Sequence, residues 1–173
     1  VLGIVSVLGS TELGAVDPIH KTQDFLYQLK KKEGIDIWHH IDAAYGGYFS
    51  NVISDEKYSE YLSKDVFESL FSIRKVHSIT LDPHKLGYVP YSCGAILVKD
   101  HLHYQSPSFA APYLLTDNSS AWMHTIEGSR AATGASATWM VNKTLGFGSN
   151  GMGRVLEKGL RARKIMSKKL EKI

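Results

Sequence analysis

Three short apolar runs constrain what this chain can fold into more than any other feature. Residues 2–8 (LGIVSVL), 35–41 (IDIWHHI) and 76–81 (VHSITL) are too short for helices and rich in β-branched side chains, so each reads as a strand. Between them lie stretches with helical periodicity. Residues 18–32 place Phe25, Leu26 and Leu29 on an inner stripe, and residues 56–73 do the same with Tyr58, Tyr61, Leu62, Phe67 and Leu70. Asp17 and Pro18 read as the N-cap and first-turn proline of the first helix. Strands alternating with helices predict an α/β fold with a mainly parallel sheet and flanking helices. A fourth run, CGAILVK at residues 93–99, follows the third after only about ten residues, too few for a crossover helix. It is expected to run antiparallel or to bend sharply.

Further along, residues 101–120 are rich in Pro, Ser and Tyr without clear periodicity, the character of a lid loop. Residues 121–145 read as an Ala-containing helix, and GFGSNG (146–151) marks a break before a last helix. That helix carries Met152, Leu156, Leu160, Met166, Leu170 and Ile173 at helical spacing. Its charge is the main asymmetry of the chain: residues 154–172 hold eight Lys or Arg against two Glu, while the net charge is only +3. Because the charges fall on the solvated side of an amphipathic helix, a nucleic-acid partner is not expected. No apolar run approaches a membrane span, no leader pattern is visible, and the single cysteine, Cys93, has no partner for an internal disulfide. A cytoplasmic location is the expectation. The chain opens on a strand pattern without an initiator Met and stops inside a helix, so it is expected to be a piece of a longer protein.

In an open parallel sheet, ligands bind beyond the carboxyl ends of the strands. The loops there offer Ser10 and Thr11, then Asp42 with Ala43 and Ala44, then Asp82, His84 and Lys85. Taken singly, each has a plain structural explanation: a carboxylate after a strand forms turns, and a lysine is usually a solvated charge. Together they converge on one rim. A lysine desolvated among apolar groups or beside another cation loses its proton more readily and attacks carbonyls, which is Schiff-base chemistry. A carboxylate opposite it would keep a pyridine nitrogen protonated, and an alanine would let the ring lie flat, both of which suit pyridoxal phosphate.

GSTELGAVDPI (9–19), HIDAAYGGY (40–48), SITLDPHKLGY (78–88) and IEGSRAATGASATW (126–139), in that order along the chain, resemble the group II pyridoxal-phosphate-dependent amino acid decarboxylases, above all the bacterial and archaeal tyrosine decarboxylases. The resemblance implies a fold-type I, aspartate aminotransferase-like large domain, of which residues 1–146 would be the C-terminal portion. Residues 147–173 would be the linker and first helix of a truncated small domain. It implies Lys85 as the cofactor-bonding lysine, Asp42 on the pyridine nitrogen, Ala44 on a ring face and Thr11 by the ring's 3-hydroxyl. His84 would contact the phosphate and lie near the substrate. Arg130 stands where relatives carry a basic residue, without an assigned partner. A loop tyrosine would return a proton to the carbanion carbon; Tyr113 is the candidate and Tyr104 the reserve. The implied partners are an amino acid substrate, with tyrosine or another aromatic favoured, and a second subunit in a homodimer.

Other readings compete. Another pyridoxal-phosphate carbon–carbon lyase would share the cofactor grip, and an inactive piece would serve only as an interaction module. GFGSNG matches the glycine pattern of dinucleotide-binding loops, but a helix pattern rather than a strand precedes it. His39 and His40 are neighbours on a strand and point to opposite faces, and His101 and His103 have no ligand partner at a recognised spacing. No structural metal is expected.

Overall fold

The computed structural model of the protein describes residues 1–53, 60–100, 102–105 and 130–173, with residues 104 and 105 by backbone only. Tyr58, Tyr113, most of the expected lid and the first part of the expected 121–145 helix lie outside the described residues. Four strands form one sheet in chain order: β1 (Gly3–Val7), β2 (Trp38–Asp42), β3 (Ser78–Leu81) and β4 (Ala95–Val98). β1, β2 and β3 are parallel, and β4 is antiparallel to β3. Connection length explains the switch. Helices α1 (Ile19–Glu33) and α2 (Lys64–Ser72) lie in the first two crossovers, whereas residues 82–94 return to the sheet without one.

One face of the sheet is buried. Leu8 and Ile41 pack with Ile19 of α1 and Leu70 of α2, and Val76 closes the cluster just before β3. His39 projects to this face while His40 reaches Ser78 and Thr80 on the other, as alternation along a strand requires. Helix α1 ends where the sequence directs it: Gly34 takes the left-handed conformation at φ 69° and donates to the Lys30 carbonyl. Its other features differ from expectation. Asp17 does not cap the helix; Pro18 occupies the cap position, and the Asp17 carboxylate accepts a 2.7 Å hydrogen bond from the Val7 amide instead. Phe25 is 61% exposed, because Ile19 and Leu26, two turns apart, take the inward line and leave its neighbour rotated toward solvent.

Helix α2 starts later than its periodicity suggests. Ser63 lies in extended backbone and its hydroxyl accepts from the Val66 amide, so the helix begins at Lys64. Helix α3 is one turn (Leu102–Gln105), and α4 spans Thr133–Leu145, with residues 130–132 non-helical. Its first turn packs closely on the loop before β4: a Cβ on Gly134 would stand 3.0 Å from both the Ser92 carbonyl and the Cys93 sulfur. Helix α5 (Met152–Leu170) buries Met152, Leu156 and Leu160 against Tyr48 and Val52. Its expected stripe stops there, since Met166, Leu170 and Ile173 are exposed. Among the described residues no helix is long and apolar enough to cross a membrane.

Candidate active site

The strand ends are drawn together by hydrogen bonds that run past the strands themselves. Leu8 donates to the Asp42 carbonyl, Ala43 to the Thr80 carbonyl and Asp82 to the Ala44 carbonyl, so the loops after β1, β2 and β3 stay in register. After β2 the chain folds into a 3₁₀ turn, Gly46–Asn51, and Gly46 donates to the Leu8 carbonyl at 3.0 Å. A side chain at Gly46 has no room, because a Cβ would stand 2.2 Å from that carbonyl oxygen. This contact is why the sequence reads DAAYGG. At its start, the Ala44 amide donates to Asp42 Oδ1 at 3.1 Å, which orients the carboxylate of this exposed residue.

The turn after β3 is equally tight. Lys85 donates from its backbone to the Asp82 carbonyl, Tyr88 to Lys85, and Val89 to Pro83. Gly87 passes so close that a Cβ would meet the Pro83 oxygen and the Tyr48 ring at 2.6 Å. This geometry sets Lys85 and Asp82 on one side, with Nζ 2.9 Å from Asp82 Oδ2. The expectation for the lysine was a proton easily lost; the structure reverses it. The hydrogen bond to Asp82 raises the Lys85 pKa above its ordinary value, and the charges of Asp82, Asp42 and Tyr91 add to it, while partial burial opposes. Among the described residues, the charged group set against the amine is an acid, Asp82.

His84 is held in one tautomer. The Cys93 amide donates to Nδ1 at 2.9 Å, so that nitrogen is an acceptor and the ring proton sits on Nε2, which faces Asp82 Oδ2 at 3.6 Å. The ring stacks on Tyr91, centroids 4.1 Å apart. Cys93 in turn lies 3.3 Å from the Thr138 hydroxyl, which ties this loop to α4. Asp42, Ala44, His84 and Lys85 therefore share one rim. Thr11 is exposed in the turn at residues 11–13, where its loop is held by Ser10, and Arg130 is exposed just before α4. Tyr113 lies outside the described residues. Asp82 and Tyr91 are the site residues that the sequence reading left without roles. Asp82 was visible as a carboxylate three residues before the lysine, but only the turn geometry pairs them.

Asp42 thus ends β2, and Lys85 stands in the turn after β3, the neighbouring parallel strand. Residues 1–173 match the family described as the pyridoxal-dependent decarboxylase conserved domain.

The chain belongs to this family.

Its curated relatives include an L-tyrosine decarboxylase of Enterococcus faecium, 32% identical over 100% of this chain and 32% of that protein. They also include an L-aspartate/L-glutamate decarboxylase of Pyrococcus horikoshii, 33% identical over 99% of this chain and 41% of the relative. The chain thus spans about a third to two fifths of the relatives it matches. Among solved structures, mouse CSAD superposes with a TM-score of 0.70 at 20% identity, covering 99% of this chain and 33% of that one. The fold is the α/β, fold-type I arrangement of pyridoxal-dependent decarboxylases.

Proposed function

We propose that this chain carries the cofactor-anchoring part of an amino acid decarboxylase, with Lys85 and Asp42 gripping opposite ends of pyridoxal phosphate. The single observation that supports the reading is the placement at the rim: Asp42 ends β2 and Lys85 follows β3, the adjacent parallel strand. When bound, the cofactor supplies an electron sink for the charge left on the substrate's α-carbon as CO2 departs. Asp42, its carboxylate oriented by the Ala44 amide, would keep a proton at the ring nitrogen. Ala44 offers a small surface for the ring, and Thr11 serves the 3-hydroxyl side. Lys85 would hold the cofactor at its aldehyde carbon, for which its amine must first be free of Asp82 and of its extra proton. Asp82 Oδ2, 2.9 Å away, is the acceptor placed for that proton. His84 contributes one fixed donor, the Nε2 proton, toward phosphate and substrate. Tyr113 supplies the proton that replaces CO2.

The substrate is an amino acid, and an aromatic one is favoured, supported by the tyrosine decarboxylase among the relatives. Residues 147–173 begin the small domain, and the protein acts as a cytoplasmic homodimer. The test is CO2 release from tyrosine, tryptophan, aspartate and glutamate by the wild type and by Asp42→Asn, which should retain cofactor and lose at least about 100-fold in turnover. Near-normal turnover by Asp42→Asn removes the role. Carbon–carbon cleavage without CO2 assigns another lyase.

A further inference from the structure

Burial does not explain the place of Tyr91. Among the described residues its side chain is 78% exposed and adds little to the core, yet its ring lies on the His84 imidazole with centroids 4.1 Å and planes 28° apart. Spacing in the sequence gives no sign of the pair, because both residues stand in a segment between β3 and β4 that is neither helix nor strand.

The stack acts on a ring that its hydrogen bonds hold at one point. The Cys93 amide donates to His84 Nδ1 at 2.9 Å, and the His84 amide donates to the Cys93 carbonyl at 3.3 Å, so the two residues grip one another. Cys93 is anchored in turn. Thr138 gives its hydroxyl proton to the Gly134 carbonyl at 2.8 Å and therefore accepts from the Cys93 thiol at 3.3 Å, which ties the segment to α4. These bonds set the position of Nδ1 and leave the plane of the imidazole free to tilt about it. At the far side of the ring, Nε2 lies 3.6 Å from Asp82 Oδ2, beyond a hydrogen bond, and that oxygen is engaged by Lys85 at 2.9 Å. A flat aromatic face at 4.1 Å blocks the tilt that the hydrogen bonds allow.

We propose that Tyr91 is a positioning residue: its ring holds the plane of His84, so that Nε2 presents its proton in one direction along the rim. The proposal rests on the reading that His84 serves phosphate and substrate. The flat ring is what the role requires, and the phenol hydroxyl is not. Tyr91→Leu keeps apolar bulk and removes the flat face, whereas Tyr91→Phe keeps the face and removes the hydroxyl.

Two measurements test it. In the cofactor-free protein, hydrogen exchange of the Cys93 amide reads how often its bond to the imidazole opens. Tyr91→Leu should speed that exchange by about 2- to 10-fold, the worth of one stacked aromatic pair, with the β3 amides unchanged, and Tyr91→Phe should restore the slow rate. The second measurement is the Kd for pyridoxal phosphate in a double-mutant cycle with His84→Asn. Tyr91→Leu should weaken binding by about 2- to 10-fold when His84 is present and by less than about 2-fold when it is replaced. A Cys93 amide unmoved by Tyr91→Leu, a Tyr91→Phe as impaired as Tyr91→Leu, or an equal loss of affinity with and without His84 overturns the proposal. Absence of pyridoxal phosphate binding in the wild type instead overturns the reading of the rim, and with it the use of an oriented His84, whatever the amide shows.

Discussion

Gly46→Ala tests how the carboxylate-bearing loop is held. The added methyl would sit 2.2 Å from the Leu8 carbonyl oxygen and 2.9 Å from its carbon, against ordinary contacts near 3.4–4 Å. The obstacle is backbone at the end of β1, next to a side chain only 1% exposed, so it cannot swing aside. The loop must lift instead, and the Gly46 to Leu8 hydrogen bond at 3.0 Å breaks. Overpacking costs about 1–3 kcal/mol and the lost bond about 1 kcal/mol, offset by somewhat under 1 kcal/mol from the stiffer unfolded chain. The net loss is about 2–3 kcal/mol, a large part of a typical stability of about 5–15 kcal/mol. At this chain length it lowers Tm by roughly 5–10 °C. Gly34→Ala is the internal control: φ is 69° but no atom lies within 4 Å of the new Cβ, so only the left-handed strain of about 1–2 kcal/mol applies, less the same offset. Thermal melts followed by circular dichroism compare the two. If Gly46→Ala melts as high as Gly34→Ala, the close approach does not hold the loop and the reasoning fails.

Other expectations follow from the same structure. Replacing Asp82 by Asn removes the main cause of the raised Lys85 pKa, so competitive acetylation across pH, read by peptide mass spectrometry, should find Lys85 reactive at lower pH; an unmoved midpoint contradicts the pairing. Buried His39 has its pKa lowered below 6.5, first by burial and then by the charges of His77 and His40. The unfolded chain therefore binds more protons below pH 6.5, so this contribution to stability is complete above 6.5 and is lost as pH falls toward the folded-state value. Urea melts from pH 7.5 to 5 should show that decline, and His39→Asn should flatten it. Leu156→Ala, in the buried half of α5, should cost about 2–5 kcal/mol, whereas Met166→Ala, nearly three turns on and exposed, should stay within about 0.5 kcal/mol by the same assay.

The strands could be read from the sequence because short β-branched runs have few alternatives, and the antiparallel fourth strand followed from a connection too short for a helix. The placement of Asp42 at the end of β2 and of Lys85 in the turn after β3 could be read for the same reason. What stayed hidden depends on contacts across the fold. Asp17 is a good capping residue by type, yet the Val7 amide captures its carboxylate. Lys85 sits among Leu, Gly and Tyr in sequence, yet the turn through Pro83 and Gly87 presents it to Asp82. Tyr91 covers His84 only because the chain returns toward the sheet at Cys93. The α5 stripe continues in the sequence past Leu160, but among the described residues the apolar cluster it joins goes no further than Leu160.

The account rests on Lys85 and Asp42 holding one cofactor between them. The most direct measurement is to load the protein with pyridoxal phosphate, reduce it with borohydride, and map the modified lysine by peptide mass spectrometry. The account predicts a single adduct on Lys85 that disappears in Lys85→Arg and whose yield falls in Asp42→Asn. An adduct on a different lysine, or labelling undiminished in Lys85→Arg, would contradict it.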